Sequence, residues 1–165
     1  MRVYVPATIA MLQRLVAEQE LDPVSRTAFA VTPALREAYA SGDDDELAEV
    51  AMTEAARASL RLLAAEDDEK PAYRRAVIAA DVEDAKLRPD LDDAVVRLAG
   101  PVTMDMVASV HVDLAQATDA IERAVEVVDA ADLGDADAEF VLGDAEDHEL
   151  AWYATQELPF LLDLL

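Results

Sequence analysis

The sequence predicts an α+β fold, a ferredoxin-like sandwich of two βαβ halves with a helical pair inserted between them. The sheet expected is mostly antiparallel, with about four or five strands. Three observations lead there. Val3-Tyr4-Val5 and Val110-His111-Val112 are β-branched and aromatic runs that each precede a helical pattern. Ala28-Phe29-Ala30-Val31-Thr32-Pro33 is echoed by Trp152-Tyr153-Ala154-Thr155 with Pro159 beyond it. Between these halves, residues 33–66 carry apolar side chains at helical spacing. With 165 residues and 53% hydrophobic composition, a single domain over 1–165 is the expectation.

The elements follow in chain order. Val3-Tyr4-Val5 is a short strand closed by Pro6. Thr8 can accept from the free N–H groups of a helix whose apolar positions are Ile9, Leu12, Leu15 and Val16. Residues 27–31 form a second short strand, and Thr32-Pro33 restarts a helix with Thr at the cap and Pro in the first turn. Asp43 to Glu46 place negative charge at a helix N-terminus, where the dipole favours it. That helix carries Leu47, Val50, Ala51, Ala55, Ala58, Leu62 and Ala65 on one stripe, and Glu66-Asp67-Asp68-Glu69 with Pro71 end it. Residues 73–82 read as a strand and 84–103 as irregular, with a helical turn at Val95-Val96-Arg97-Leu98. Met106 to Val112 is the clearest strand, with Met106, Ala108, Val110 and Val112 on one face and Val107, Ser109 and His111 on the other. Asp113 and Gln116 suit a capping box for a helix through Leu114, Ala117, Ile121, Ala124, Val125 and Val128. Residues 129–149 read as an acidic loop, 150–155 as a strand with a helix as rival, and 159–165 as a short apolar helix.

Charge excludes more than any motif. The net charge is −23, divided as −5 over residues 1–80 and −18 over 81–165, and no Lys or Arg follows Arg123. Nucleic-acid backbones and anionic membranes require a cationic surface, so neither is an expected partner; a basic protein is. No stretch is long and apolar enough to span a bilayer, and the N-terminus lacks a signal-peptide core, so a cytoplasmic location is expected. There is no cysteine, which removes disulfides, thiolate metal sites and thiol nucleophiles together.

The candidate site follows from strand alternation. In a ferredoxin-like sheet the first strand and the strand opening the second half are neighbours. Tyr4 and His111 would then lie side by side on the face the helices leave open, with Arg2, Ser109 and Asp113 beside them. Arg75 and Tyr153 would join from flanking strands. Such a face reads first as a self-association surface, which makes a homodimer the expected assembly. It reads second as a site for a small anion built on Tyr4, His111, Arg75 and Tyr153. Two metal patterns occur by spacing, and each has a plainer reading as ordinary hydrogen-bonded or solvated side chains: His111, Asp113 and His148 as a two-His, one-carboxylate set, and Asp135, Asp137, Glu139 and Glu146 as a calcium loop. The second lacks the glycine needed at its sixth position, which is Phe140. No cofactor or metal is expected. Phosphate-binding glycine loops, nucleophile elbows and zinc-protease motifs are all missing. Trp152-Tyr153 reads as a core anchor.

Arg2-Val3-Tyr4-Val5-Pro6-Ala7-Thr8 and Thr27-Ala28-Phe29-Ala30-Val31-Thr32-Pro33-Ala34-Leu35-Arg36-Glu37 resemble a family of small acidic actinobacterial proteins of unknown function. Ala55-Ala56-Arg57-Ala58-Ser59-Leu60-Arg61-Leu62-Leu63 and Trp152-Tyr153-Ala154-Thr155-Gln156-Glu157-Leu158-Pro159 fit the same resemblance, which covers most of the chain. It implies an actinobacterial source and transfers no catalytic residue. The leading functional expectation is a non-enzymatic protein-interaction or regulatory module. The alternative is a small-ligand-binding or metal-dependent enzyme using the face around Tyr4 and His111.

Overall fold

The computed structural model describes residues 1–67 and 71–165. Asp68 and Glu69 of the acidic cluster expected to end the long helix lie outside the described residues. The strands are β1 (Arg2–Ala7), β2 (Glu20–Leu21), β3 (Thr27–Phe29), β4 (Ala76–Asp81), β5 (Ala85–Leu87), β6 (Val95–Leu98), β7 (Val102–Thr103), β8 (Val107–Asp113) and β9 (Leu150–Ala154). The α-helices are α1 (Ile9–Glu18), α2 (Pro33–Ala38), α3 (Asp44–Ala65), α4 (Thr118–Asp132), α5 (Ala136–Glu146) and α6 (Leu158–Asp163).

The fold is α+β, but the main sheet has seven strands rather than four or five, in the order β5-β6-β3-β1-β4-β8-β9. Every pairing in it is antiparallel. The extra strands come from residues 84–103. Val95 to Leu98 is extended β6, not a helical turn, because it pairs with β3 on one side and β5 on the other and is buried on both faces, Val95 toward α3 and Val96 and Leu98 toward α1. Strands β2 and β7 form a separate two-stranded sheet. Central β4 stands between β1 and β8, so the two strands expected to be direct neighbours are one strand apart.

Both faces of the sheet carry helices. Val3, Val5, Ile78, Val110 and Val112 pack against Leu12 and Leu15 of α1 and Leu158 and Leu161 of α6. Phe29, Val77 and Val95 face the other way, against Leu47, Ala51 and Ala55 of α3. The face expected to be bare is therefore partly roofed. Further along α3, Leu60 and Leu63 pack with Ile121, Ala124 and Val128 of α4 and Leu142 and Ala145 of α5.

The caps explain where the helices start. Thr8, Thr32, Asp43 and Asp135 each accept from the N–H three residues on, opening α1, α2, α3 and α5. Each satisfies a donor the helix itself leaves free. The last of these overturns the acidic loop expected over 129–149: that segment is the end of α4, a short turn, and α5. Gly134 permits the turn, with φ +94. Its acidic side chains stay on the outside, and Arg57 and Arg61 of α3 reach across to Asp132, with Arg57 also binding Glu139.

One further contact ties α3 to the sheet. Ser59 Oγ donates to the Ala7 carbonyl at 2.7 Å and accepts from the Ala76 N–H at 3.1 Å. A fully buried hydroxyl thus joins the end of β1 to the start of β4 beneath α3.

Candidate functional site

Register decides which side chains meet. Tyr4 lies opposite Ala79, Ala79 opposite Ser109, Val77 opposite His111, and His111 opposite Trp152. All six therefore project from the α3 face. Helix α3 covers this face over β1, β3 and β4 and leaves the β8–β9 end open. The opening is a groove with two hollows of ≈ 390 and ≈ 350 Å³, which share Glu49, Met52 and His111. The first is completed by Arg57, Arg75, Glu146 and His148 among others, and the second by Arg2, Tyr4, Ser109 and Trp152. Ala79, with its single methyl between Tyr4 and Ser109, leaves the floor of the second hollow low.

Arg75 is the anchor of the first hollow. Its guanidinium donates from Nε to Asp113 Oδ2 and from Nη2 to Asp113 Oδ1, both at 2.8 Å. Nη2 also donates to the His148 carbonyl at 2.7 Å. This arrangement leaves Nη1 without a hydrogen-bond partner among the described residues. Arg75 is one of the residues that line the hollow. Arg75 is only 4% exposed, so a nearly buried cation lines that space with one donor group that the described residues do not engage. Asp113 differs from the helix cap expected of it. It is a fully buried strand residue that holds Arg75, not the cap of the next helix.

In the second hollow, Ser109 Oγ and His111 Nε2 are 3.0 Å apart. Burial, with a smaller contribution from Arg2, holds the half-buried His111 below its ordinary pKa, so the imidazole is neutral at pH 7 and can exchange donor and acceptor roles with the hydroxyl. No carboxylate or carbonyl among the described residues orients the other ring nitrogen, so the pair lacks the third group that makes a nucleophile–base relay. Burial pushes the Tyr4 hydroxyl up, which keeps the phenol protonated. Arg2, which lines the same hollow, is engaged in a two-point pair with Asp81 at 2.7 and 3.2 Å.

Of the four residues expected to form the site, Tyr4, His111 and Arg75 lie on one face, although β4 separates the first two. Tyr153 does not join them. It lies opposite Val110 and packs into the core on the α1 side. Its place is taken by Trp152, which is 61% exposed and is not the core anchor expected. Val107 also changes face. The pairing steps from Ala79–Ser109 to Ala80–Val107, and this bulge at Ala108 turns Val107 toward the α1 core. Glu49, Met52 and His148 were not anticipated as wall residues. Glu49 and Met52 lie three apart on α3, beside its apolar stripe, and that spacing was the available signal.

The two metal patterns dissolve on geometry. Asp113 has both oxygens committed to Arg75. Asp135, Asp137, Glu139 and Glu146 are spread along helix α5 and its cap instead of curling into a loop.

The described helices include none long and apolar enough to cross a membrane. A family model matches residues 1–162. The chain belongs to DUF6912, a family of unknown function. Nearly every element of the fold falls within the matched residues, the groove included. No curated protein and no solved structure matches the chain.

Proposed function

We propose that this DUF6912 chain is a binding module whose groove between α3 and the β8–β9 end of the sheet takes a small polar ligand of no net charge. The observation that carries this reading is Arg75, held by Asp113 and the His148 carbonyl, with Nη1 unpartnered among the described residues, in the lining of a ≈ 390 Å³ hollow. A preorganised, nearly buried guanidinium favours a carboxylate or carbonyl oxygen over water. The opposite requirement comes from Glu49, Glu146 and Glu149 on the same walls, which favour a donor or cationic group. A plain anion would also meet the field of a chain carrying −23. An acceptor at one end and a donor at the other satisfies both conditions, as in a zwitterion. Met52 and Leu60 supply an apolar wall for the linker.

The test uses matched probes: a series of unbranched ω-amino acids, the fatty acids lacking the amine, and the alkylamines lacking the carboxylate. Calorimetric titration should show the zwitterion of fitting length binding about tenfold or more tighter than either single-charge counterpart. Glu49→Gln should lower affinity for the zwitterion and leave the fold intact, since Glu49 is exposed. Arg75→Lys should remove the preference for a carboxylate, with circular dichroism confirming the fold. Equal binding of all three probe classes, binding of none, or binding indifferent to Glu49→Gln would overturn the reading.

A further inference from the structure

The two edges of the main sheet are built differently. Edge strand β5 is three residues long, Ala85–Leu87, carries Lys86 at its centre and is followed by Arg88. Short length and positive charge are standard defences against an added strand. The opposite edge, β9, has the sequence LAWYA, with no charge and no proline. It pairs only with β8 within the sheet. None of its five residues is buried, and Trp152 stands 61% exposed on one face. Alternate residues of such a strand direct N–H and C=O groups away from β8, and, apart from the Ala154 cap of the turn that follows, none of these groups has a backbone partner among the described residues.

Charge selects the occupant. Asp147 and Glu149 precede β9, Glu157 follows it, and no Lys or Arg occurs after Arg123. Glu157 Oε1 already accepts from the Ala154 N–H at 3.2 Å, which places its carboxylate against the end of the edge. A second copy would bring the same acids against these and add −23 to −23. An extended cationic segment would meet no such repulsion. We propose that β9 is a docking edge for an extended basic segment of a partner protein, which adds to the sheet as a further strand and lays an apolar side chain against Trp152. Lys or Arg at alternate positions would face the flanking carboxylates. Main-chain hydrogen bonds supply the affinity in this mode, and the side-chain alternation supplies selectivity.

The full chain contains a single tryptophan, Trp152, so its fluorescence reports directly on this edge. A short peptide alternating Lys and Val should change that fluorescence and bind more weakly as salt rises. The same peptide with Glu for Lys should bind at least about tenfold more weakly. Backbone N-methylation of every second residue should abolish binding in one of the two possible sets and spare the other, because only one set faces β9. Neither methylated set losing binding, or an unchanged tryptophan signal with saturating peptide, would overturn the proposal. So would sedimentation showing a dimer of the chain alone that Trp152→Lys dissociates, since the edge would then belong to a second copy. The ω-amino acid titration reads the groove independently, so either proposal can fail without the other.

Discussion

Asp113 receives three hydrogen bonds from Arg75, one from the backbone N–H and two from the guanidinium, each at 2.8 Å. The Asp113 N–H donates back to the Arg75 carbonyl at 3.1 Å, so the pair continues the β4–β8 ladder one step beyond the strand end. Side-chain exposures of 4% and 0% make this an ion pair in the interior. Removing one partner strands a charge there. Asp113→Ala should cost about 3–5 kcal/mol in urea unfolding, whereas Arg75→Met combined with Asp113→Leu should recover most of that loss. A double variant as unstable as the single one would show that the surrounding backbone, not the stranded guanidinium, sets the cost.

Ser59 gives a second, smaller test. Its hydroxyl satisfies a donor on Ala76 and an acceptor on Ala7, and both backbone groups would be left buried in Ser59→Ala. The expected loss is about 1–3 kcal/mol by chemical denaturation, with the fold unchanged by circular dichroism. Stability equal to the parent would mean that α3 is seated by its apolar stripe alone.

His111 sets a pH dependence with a definite sign. Burial and then Arg2 lower its folded-state pKa below the ordinary 6.5. The unfolded chain therefore binds more protons than the folded chain as the pH falls through 6.5 toward the folded value. Stability contributed by neutral His111 is present above that window and lost on descending through it. Unfolding free energy measured from pH 8 downward should fall less steeply below about pH 6.5 in His111→Gln than in the parent. Parallel curves would show that the ring is solvated.

The Arg57, Arg61, Asp132 and Glu139 network is half exposed, with side-chain accessibilities between 21% and 46%. Hydrogen bonds from Arg61, and then Arg57, hold the Asp132 carboxyl below its ordinary range. Its contribution is therefore present above the ordinary carboxylate pKa and lost in acid. Asp132→Asn should cost about 1 kcal/mol or less at low salt, and the difference from the parent should shrink in high salt. A cost that salt does not reduce would mark the pair as packing rather than charge.

Periodicity exposed the strands whose two faces meet different surroundings, such as β1 and β8, because alternation of apolar and polar residues is a local property. It failed at β6, where Val95, Val96 and Leu98 are all buried and the run carries no clear alternation. The acidic segment 129–149 was misread because its helices bury mainly small or widely spaced residues, Ala138, Leu142 and Ala145 in α5. Acid-rich outer faces masked that stripe. Asp113 looked like a cap because an aspartate before a helix usually is one; only the distant Arg75 shows otherwise.

Composition and local pattern alone determined the α+β class, the starts of α1, α2 and α3, the net charge of −23, and the shared facing of Tyr4 and His111. Those follow from nearest-neighbour chemistry and from charge counting. Tertiary structure decided the insertion of β4 between β1 and β8, the bulge that turned Val107, the roof of α3, and the union of Arg75, Asp113 and the His148 carbonyl. Each of these joins residues far apart in the chain. Register and burial are cooperative properties of the whole sheet, which no single segment encodes.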